Sequence, residues 1–181
     1  MAIRQFQGHF PKVGKQVYID NSAVVCGRIR LGDDVSIWPH VAMRGDVNFI
    51  EIGARTNVQD GSVLHVTHDG LYTPDEGIPL CIGDDVTVGH RVILHACTVG
   101  NRVLVGMGAI LMDGVVVEDD VLIGAGTLVP PGKRLESGWL YRGNPMEKAR
   151  RLKPEEIEML KYSAEHYVRL KDHYLAAGPQ D

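Results

Sequence analysis

The chain has 181 residues, 44% of them hydrophobic, and a net charge of −4. That is enough apolar material for one core, and it leaves no basic field for nucleic acid or an anionic membrane. No run of about 18 apolar residues is present, which argues against a membrane-spanning helix. Met1 to Phe10 lacks the apolar stretch of a secretory signal, so a cytoplasmic protein is expected. Cys26, Cys81 and Cys97 lie far apart without a CxxC pair, the pattern of free thiols rather than of a disulfide framework or a cysteine metal site. Aromatic residues make up only 6% while Gly numbers 21, a bias toward a repetitive, small-residue architecture.

In chain order, aliphatic residues recur at Val25, Leu31, Ile37 and Met43, then at Ile52, Val58 and Leu64, then at Ile82, Val88 and Leu94. The last series is Val99, Val105, Leu111, Val117, Ile123 and Val129, and nearly every step is six residues. Six residues carry an α-helix through about 1.67 turns, so no helix face can hold this stripe. Short strands can, because alternate residues share a face: each aliphatic residue points inward and the residue after it points out. One hexapeptide is then a strand plus a corner, and three of them close a triangular coil over roughly residues 17–133.

Three steps break the ladder. The step from Met43 to Ile52 is nine residues, implying three extra residues, and that from Leu94 to Val99 is five, implying a shortened corner. Between Leu64 and Ile82, an excursion loop at about 68–80 carries two prolines and two glycines. Residues 1–152 are therefore assigned to the prism and 153–181 to a helix packing on it. From Pro154 to Leu175, the residues Ile157, Leu160, Ala164, Tyr167, Val168, Lys171, Tyr174 and Leu175 follow helical spacing, and Pro154 and three glutamates suit a helix start. Tyr162 and Tyr167 are assigned to helix packing. Gly124-Ala-Gly126 lacks the lysine and the strand-to-helix context of a phosphate loop.

Counting rungs places the histidines. His65 and His95 directly follow Leu64 and Leu94, so both point outward from one face on adjacent rungs, about 4.8 Å apart. Arg44, after Met43, joins that column. His90 falls two residues after Val88, at a corner, with Asp60 in the same phase one rung away. Two imidazoles on one face are half of a tetrahedral site, and a cyclic trimer would complete it from a neighbour. His9, His40, His166 and His173 lie outside this pattern.

The segments Met43-Arg-Gly-Asp46, Asn57-Val-Gln-Asp-Gly-Ser-Val-Leu-His65 and Val88-Gly-His-Arg-Val-Ile-Leu-His95 resemble those of the γ-class carbonic anhydrases and their bacterial homologues. The resemblance implies a mainly β fold, a left-handed parallel β-helix of hexapeptide repeats with a C-terminal α-helix. It implies a homotrimer with one metal at each interface, bound by His65 and His95 of one chain and His90 of the next. It also implies that Arg44, Asp46 and Asp60 organise the interface and that Gln59 hydrogen-bonds the metal-bound water. The metal would be zinc (Zn2+), with Fe2+ or Co2+ able to use the same imidazoles. Its reaction would be the reversible hydration of carbon dioxide to bicarbonate by metal-bound hydroxide.

Two positions depart from the archaeal prototype. Val47 stands where that protein has a catalytic glutamate, and His68 stands where it has an acidic proton shuttle. Turnover is therefore expected to be slow, with Gln59, Arg44 and His68 as the catalytic set and His68 as a substitute shuttle, histidine being the residue type that titrates near neutrality. Two other functions fit the same fold: an acyl-CoA-type hexapeptide acyltransferase or thioesterase with one histidine as general base, and a catalytically silent metal-binding trimer.

Overall fold

The computed structural model describes residues 2–178, so the end of the expected helical segment, 179–181, lies outside them. The chain is a left-handed parallel β-helix closed by one C-terminal helix. Its short strands form three faces. The first stacks Val63–His65, Ile93–His95, Ile110–Leu111 and Leu128–Val129. The second stacks Leu80–Ile82, Thr98–Val99, Val116–Val117 and Arg134–Leu135. The third runs from Tyr18–Ile19 through Ser36–Ile37, Asn57–Val58, Thr87–Val88 and Leu104–Val105 to Trp139–Arg142. The aliphatic ladder fills the interior: Val25, Ile37, Met43, Val58, Leu64, Val88, Leu94, Leu111 and Ile123 are all fully buried.

One corner is held by side chains acting as rung-to-rung ties. Asp84 Oδ1 accepts from Ala54 N (2.7 Å), Asn101 Oδ1 from Asp84 N (2.9 Å), and Asp119 Oδ1 from Asn101 N (2.8 Å). Beside it Arg55 reaches Asp85 and Arg102 reaches Asp120, each at 2.7 Å.

The ladder breaks have physical causes. The nine-residue step lies within one long strand, Ala42–Ile52, which pairs with Val24–Leu31 and shifts register between Gly27 and Ile29. There the backbones nearly touch: Gly27 has φ +87°, and a Cβ on it would lie 2.5 Å from the Gly45 carbonyl oxygen. The surplus residue Asn48 is used elsewhere. Its Nδ2 donates to the carbonyls of Thr67 (3.2 Å) and Glu76 (3.0 Å), pinning the excursion, which Thr67 and Ile78 close with two backbone hydrogen bonds. At the five-residue step, Ala96 takes a positive φ of 48° and donates its N–H to the His65 carbonyl.

The helix, Pro154–Ala177, lies along the third face with Leu160, Ala164 and Lys171 buried. Trp38 packs edge-on against Tyr167 and Tyr174, and Tyr18 completes the cluster. Lys171 sits on the expected apolar stripe yet is an ammonium with no exposed surface, and Asp172 and Asp34, the latter 2.8 Å away, hold it charged against burial. Cys26, Cys81 and Cys97 are free thiols, and burial pushes the Cys97 thiol far up. Among the described residues, no helix is long and apolar enough to cross a membrane.

At the helix start, Glu156 accepts from both Arg150 nitrogens (2.7 Å each) and from Lys153 N (2.8 Å), which holds its carboxyl down at about 2. A depressed carboxyl stabilises the fold above its unfolded value and loses that effect as pH falls through its folded value. Glu156→Gln should therefore lower Tm at neutral pH, with the gap to the unmodified chain shrinking below roughly pH 4.3 toward the value near 2. Thermal melts by circular dichroism at several pH values measure this, and a gap unchanged between pH 7 and 3 would contradict the assigned role.

Candidate metal centre

Val63–His65 and Ile93–His95 pair in register, with Leu64 opposite Leu94 and His65 opposite His95. Both leucines are fully buried, so strand alternation turns both imidazoles outward side by side. His65 Nδ1 lies 3.2 Å from His95 Nε2. Each ring is tied at its far nitrogen to a carboxylate: His65 Nε2 is 3.0 Å from Asp46 Oδ1, and His95 Nδ1 is 2.6 Å from Asp113 Oδ1.

These partners fix the tautomers. An ionised carboxylate only accepts, so each far nitrogen carries the N–H, and in the neutral rings both facing nitrogens hold lone pairs. Two lone pairs pointed at each other repel unless a proton or a cation lies between them. A tetrahedral metal with bonds of about 2.0–2.1 Å would set two ligand nitrogens about 3.3 Å apart. The observed spacing fits that demand, and the donor set, two neutral imidazoles backed by carboxylates, suits zinc.

The supporting carboxylates stay ionised. Burial would raise the Asp46 carboxyl, but the His65 hydrogen bond, the Arg44 charge and the Val47 N–H (2.9 Å) together hold it below the usual range. Burial acts likewise on Asp113, and hydrogen bonds from Thr67 and His95 outweigh it.

The other expected residues sit elsewhere on the chain. His90 Nδ1 lies 2.9 Å from Asp60 Oδ2 at an exposed corner, which leaves Nε2 free. Gln59 is buried beside this corner, on the face that the helix covers, and its Nε2 donates to Asn57 Oδ1 (3.0 Å). Asn57 donates in turn to Thr87 Oγ1 (3.1 Å), which bonds Ser163 of the helix (2.9 Å). His68 is exposed at the start of the excursion, and Val47 presents an apolar side chain where the prototype has a carboxylate. Tyr167 packs on Trp38 as expected, whereas Tyr162 is exposed and stacks on His166 of its own helix rather than packing the helix onto the prism. Among the described residues no group of three potential metal ligands gathers within the chain. One chain thus carries two separate clusters: His65 and His95 with Asp46 and Asp113, and His90 with Asp60.

Asp113 and Thr67 were not singled out from the sequence. The signal for Asp113 was present, since Leu111 sits opposite Leu94 and one further rung of the count leads to its neighbours.

The repeat and the closed three-faced coil define a hexapeptide-repeat protein, and residues 96–131 match the family described as bacterial transferase hexapeptide (six repeats). YrdA of Escherichia coli is 61% identical over 98% of this chain and 96% of its own length. Mitochondrial gamma carbonic anhydrase 2 of Arabidopsis thaliana is 43% identical over 88% of this chain, which spans 57% of that longer relative. The crystal structure of a hexapeptide transferase family protein from Anaplasma phagocytophilum superposes with a TM-score of 0.88 at 39% identity, covering 96% of this chain and 98% of that one. The chain belongs to the hexapeptide-repeat family, with YrdA and the gamma carbonic anhydrases among its homologues.

Losing the carboxylate behind a ligating histidine typically costs about 10–100-fold in metal affinity. Asp113→Ala should weaken zinc or cobalt binding by that factor while circular dichroism stays unchanged. Competition against a chromophoric chelator reads the affinity, and an unaltered value would remove Asp113 from the site.

Proposed function

We propose that the protein is a metal-dependent carbonic anhydrase-like homotrimer, with His65 and His95 of one protomer and His90 of a neighbour holding the ion. The facing lone pairs of His65 Nδ1 and His95 Nε2, 3.2 Å apart and each backed by a carboxylate, carry this reading. His90 offers the same chemistry, with Nδ1 committed to Asp60 and Nε2 open. Exposed Val63 and Ile93 flank the histidine pair, and exposed Met112 follows Leu111 one rung on, an apolar surround of the kind that a neighbouring protomer would cover. Imidazole ligands do not by themselves select zinc over Fe2+ or Co2+.

Zinc, when bound, supplies a water acidified to near neutrality, the nucleophile for hydrating carbon dioxide. The chain's own groups do the rest. Asp46, Asp113 and Asp60 hold the three rings in the ligating tautomer and orientation. Gln59, its Nε2 committed to Asn57, keeps its Oε1 as an acceptor for the O–H of the metal-bound water. His68 takes a proton from the site to solvent. With Val47 in place of a second carboxylate, proton transfer at that position is lost, and turnover is slow.

His90→Ala should strip the metal and leave the fold intact. Mixed in equal amounts with His65→Ala and reassembled, it should recover about one quarter of the sites, because only a protomer with the intact pair beside one with intact His90 makes a site. Elemental analysis with light scattering reads this outcome, and metal held stoichiometrically by a monomer would sink the interface reading.

Stopped-flow hydration of carbon dioxide by fully metallated protein should exceed the metal-free control. Equal rates would leave a silent metal-binding trimer. The match to a transferase repeat family and to a solved hexapeptide transferase family protein favours a second reading, acyl transfer with a histidine base. Acyl transfer that survives complete chelation would select it.

A further inference from the structure

The excursion ends in two of the most exposed apolar side chains of the molecule, Leu71 at 89% and Tyr72 at 94%. They sit on a turn closed by Thr73 N donating to Gly70 O at 3.1 Å. The root of the loop is firmly held: Thr67 is paired with Ile78, bonded by Asn48 and in hydrogen-bond contact with Asp113, the carboxylate behind His95. A loop anchored that well yet tipped with bare Leu and Tyr is built to meet a surface.

We propose that this tip is an intersubunit clamp lying against the His90 corner of a neighbouring copy, a proposal that rests on the trimeric reading above. In that reading a neighbour's His90 comes within about 3.3 Å of His65 Nδ1. The loop springs from the chain only two residues beyond His65, and each arm of residues 68–77 reaches up to roughly 16 Å, long enough to bring the tip against that neighbour. The corner is complementary to it. Met107, one rung above His90 and 58% exposed, offers an apolar seat for Leu71 and Tyr72. Arg91 is exposed next to His90, and the loop carries Asp69, Asp75 and Glu76 with no Lys or Arg among residues 68–77. The clamp would tie closure of the interface to the position of His68 at the loop's base.

The test is nitration of Tyr72 by tetranitromethane, read by peptide mass spectrometry, with light scattering on the same samples. Tyr72 in the unmodified trimer should react at least about 10-fold more slowly than in the Arg91→Glu/Met107→Glu variant, in which the seat is destroyed. Leu71→Ser/Tyr72→Ser, a change to side chains that support nothing within the chain, should raise the trimer dissociation constant roughly 10–100-fold with unchanged circular dichroism. Equal nitration rates, or a loop variant that dissociates no more readily, would overturn the clamp. A trimer whose Tyr72 reacts as a free tyrosine defeats the clamp alone, whereas a monomeric protein defeats the trimeric reading and the clamp with it.

Discussion

Parallel register between rungs is the constraint on which everything else here depends. Most strands contribute only two or three residues, too few to be stable alone, and their positions are set by backbone hydrogen bonds to the rungs before and after them. Because the side-chain period is two, a slip of one residue would turn buried Leu64 and Leu94 outward and drive His65 and His95 into the core. The apolar cost of that slip holds the two imidazoles side by side more firmly than any contact between them. The ordering of the site is thus a by-product of the ordering of the core.

The same register separates the site into parts. His65 and His95 stand on a free face, while His90 stands at a corner with Asp60, next to the face that the helix covers. Each histidine has one nitrogen committed to a carboxylate and one open. Within one chain the three histidines do not meet, and the proposal of an assembled site rests on that separation. The deeper parts of the structure hold the helix to its face of the prism, from the polar string joining Gln59 to Ser163 to the buried Lys171 paired with Asp34.

Much of this could be read from residue types and spacing. A six-residue aliphatic period has one structural solution, and the rung count that follows from it puts His65 beside His95 and His90 beside Asp60, as the strands pair. What stayed hidden depends on side chains reaching across rungs rather than on period. Asp113 belongs to no conspicuous motif, and only its position beyond Leu111 brings it to His95. Lys171 occupies an apolar slot on the helix, and the sequence does not announce that a carboxylate 137 positions earlier neutralises it there. Gln59 was legible as a residue of interest, but its burial under the helix was not, because that requires knowing which face the helix covers.

The side chain of Asn48 joins two irregularities that look independent along the chain. The widened step within Ala42–Ile52 and the excursion after Thr67 are separate departures from the repeat, yet the first supplies the amide that fastens the second to the prism. They behave as one inserted unit. A chain that regularised the step would lose the two bonds that tie the excursion to the prism, and a chain that trimmed the excursion would leave the buried Asn48 amide without its two acceptors. Gain or loss of either irregularity during divergence of this fold should therefore travel with the other, so that paired length changes at these two places mark a single structural event.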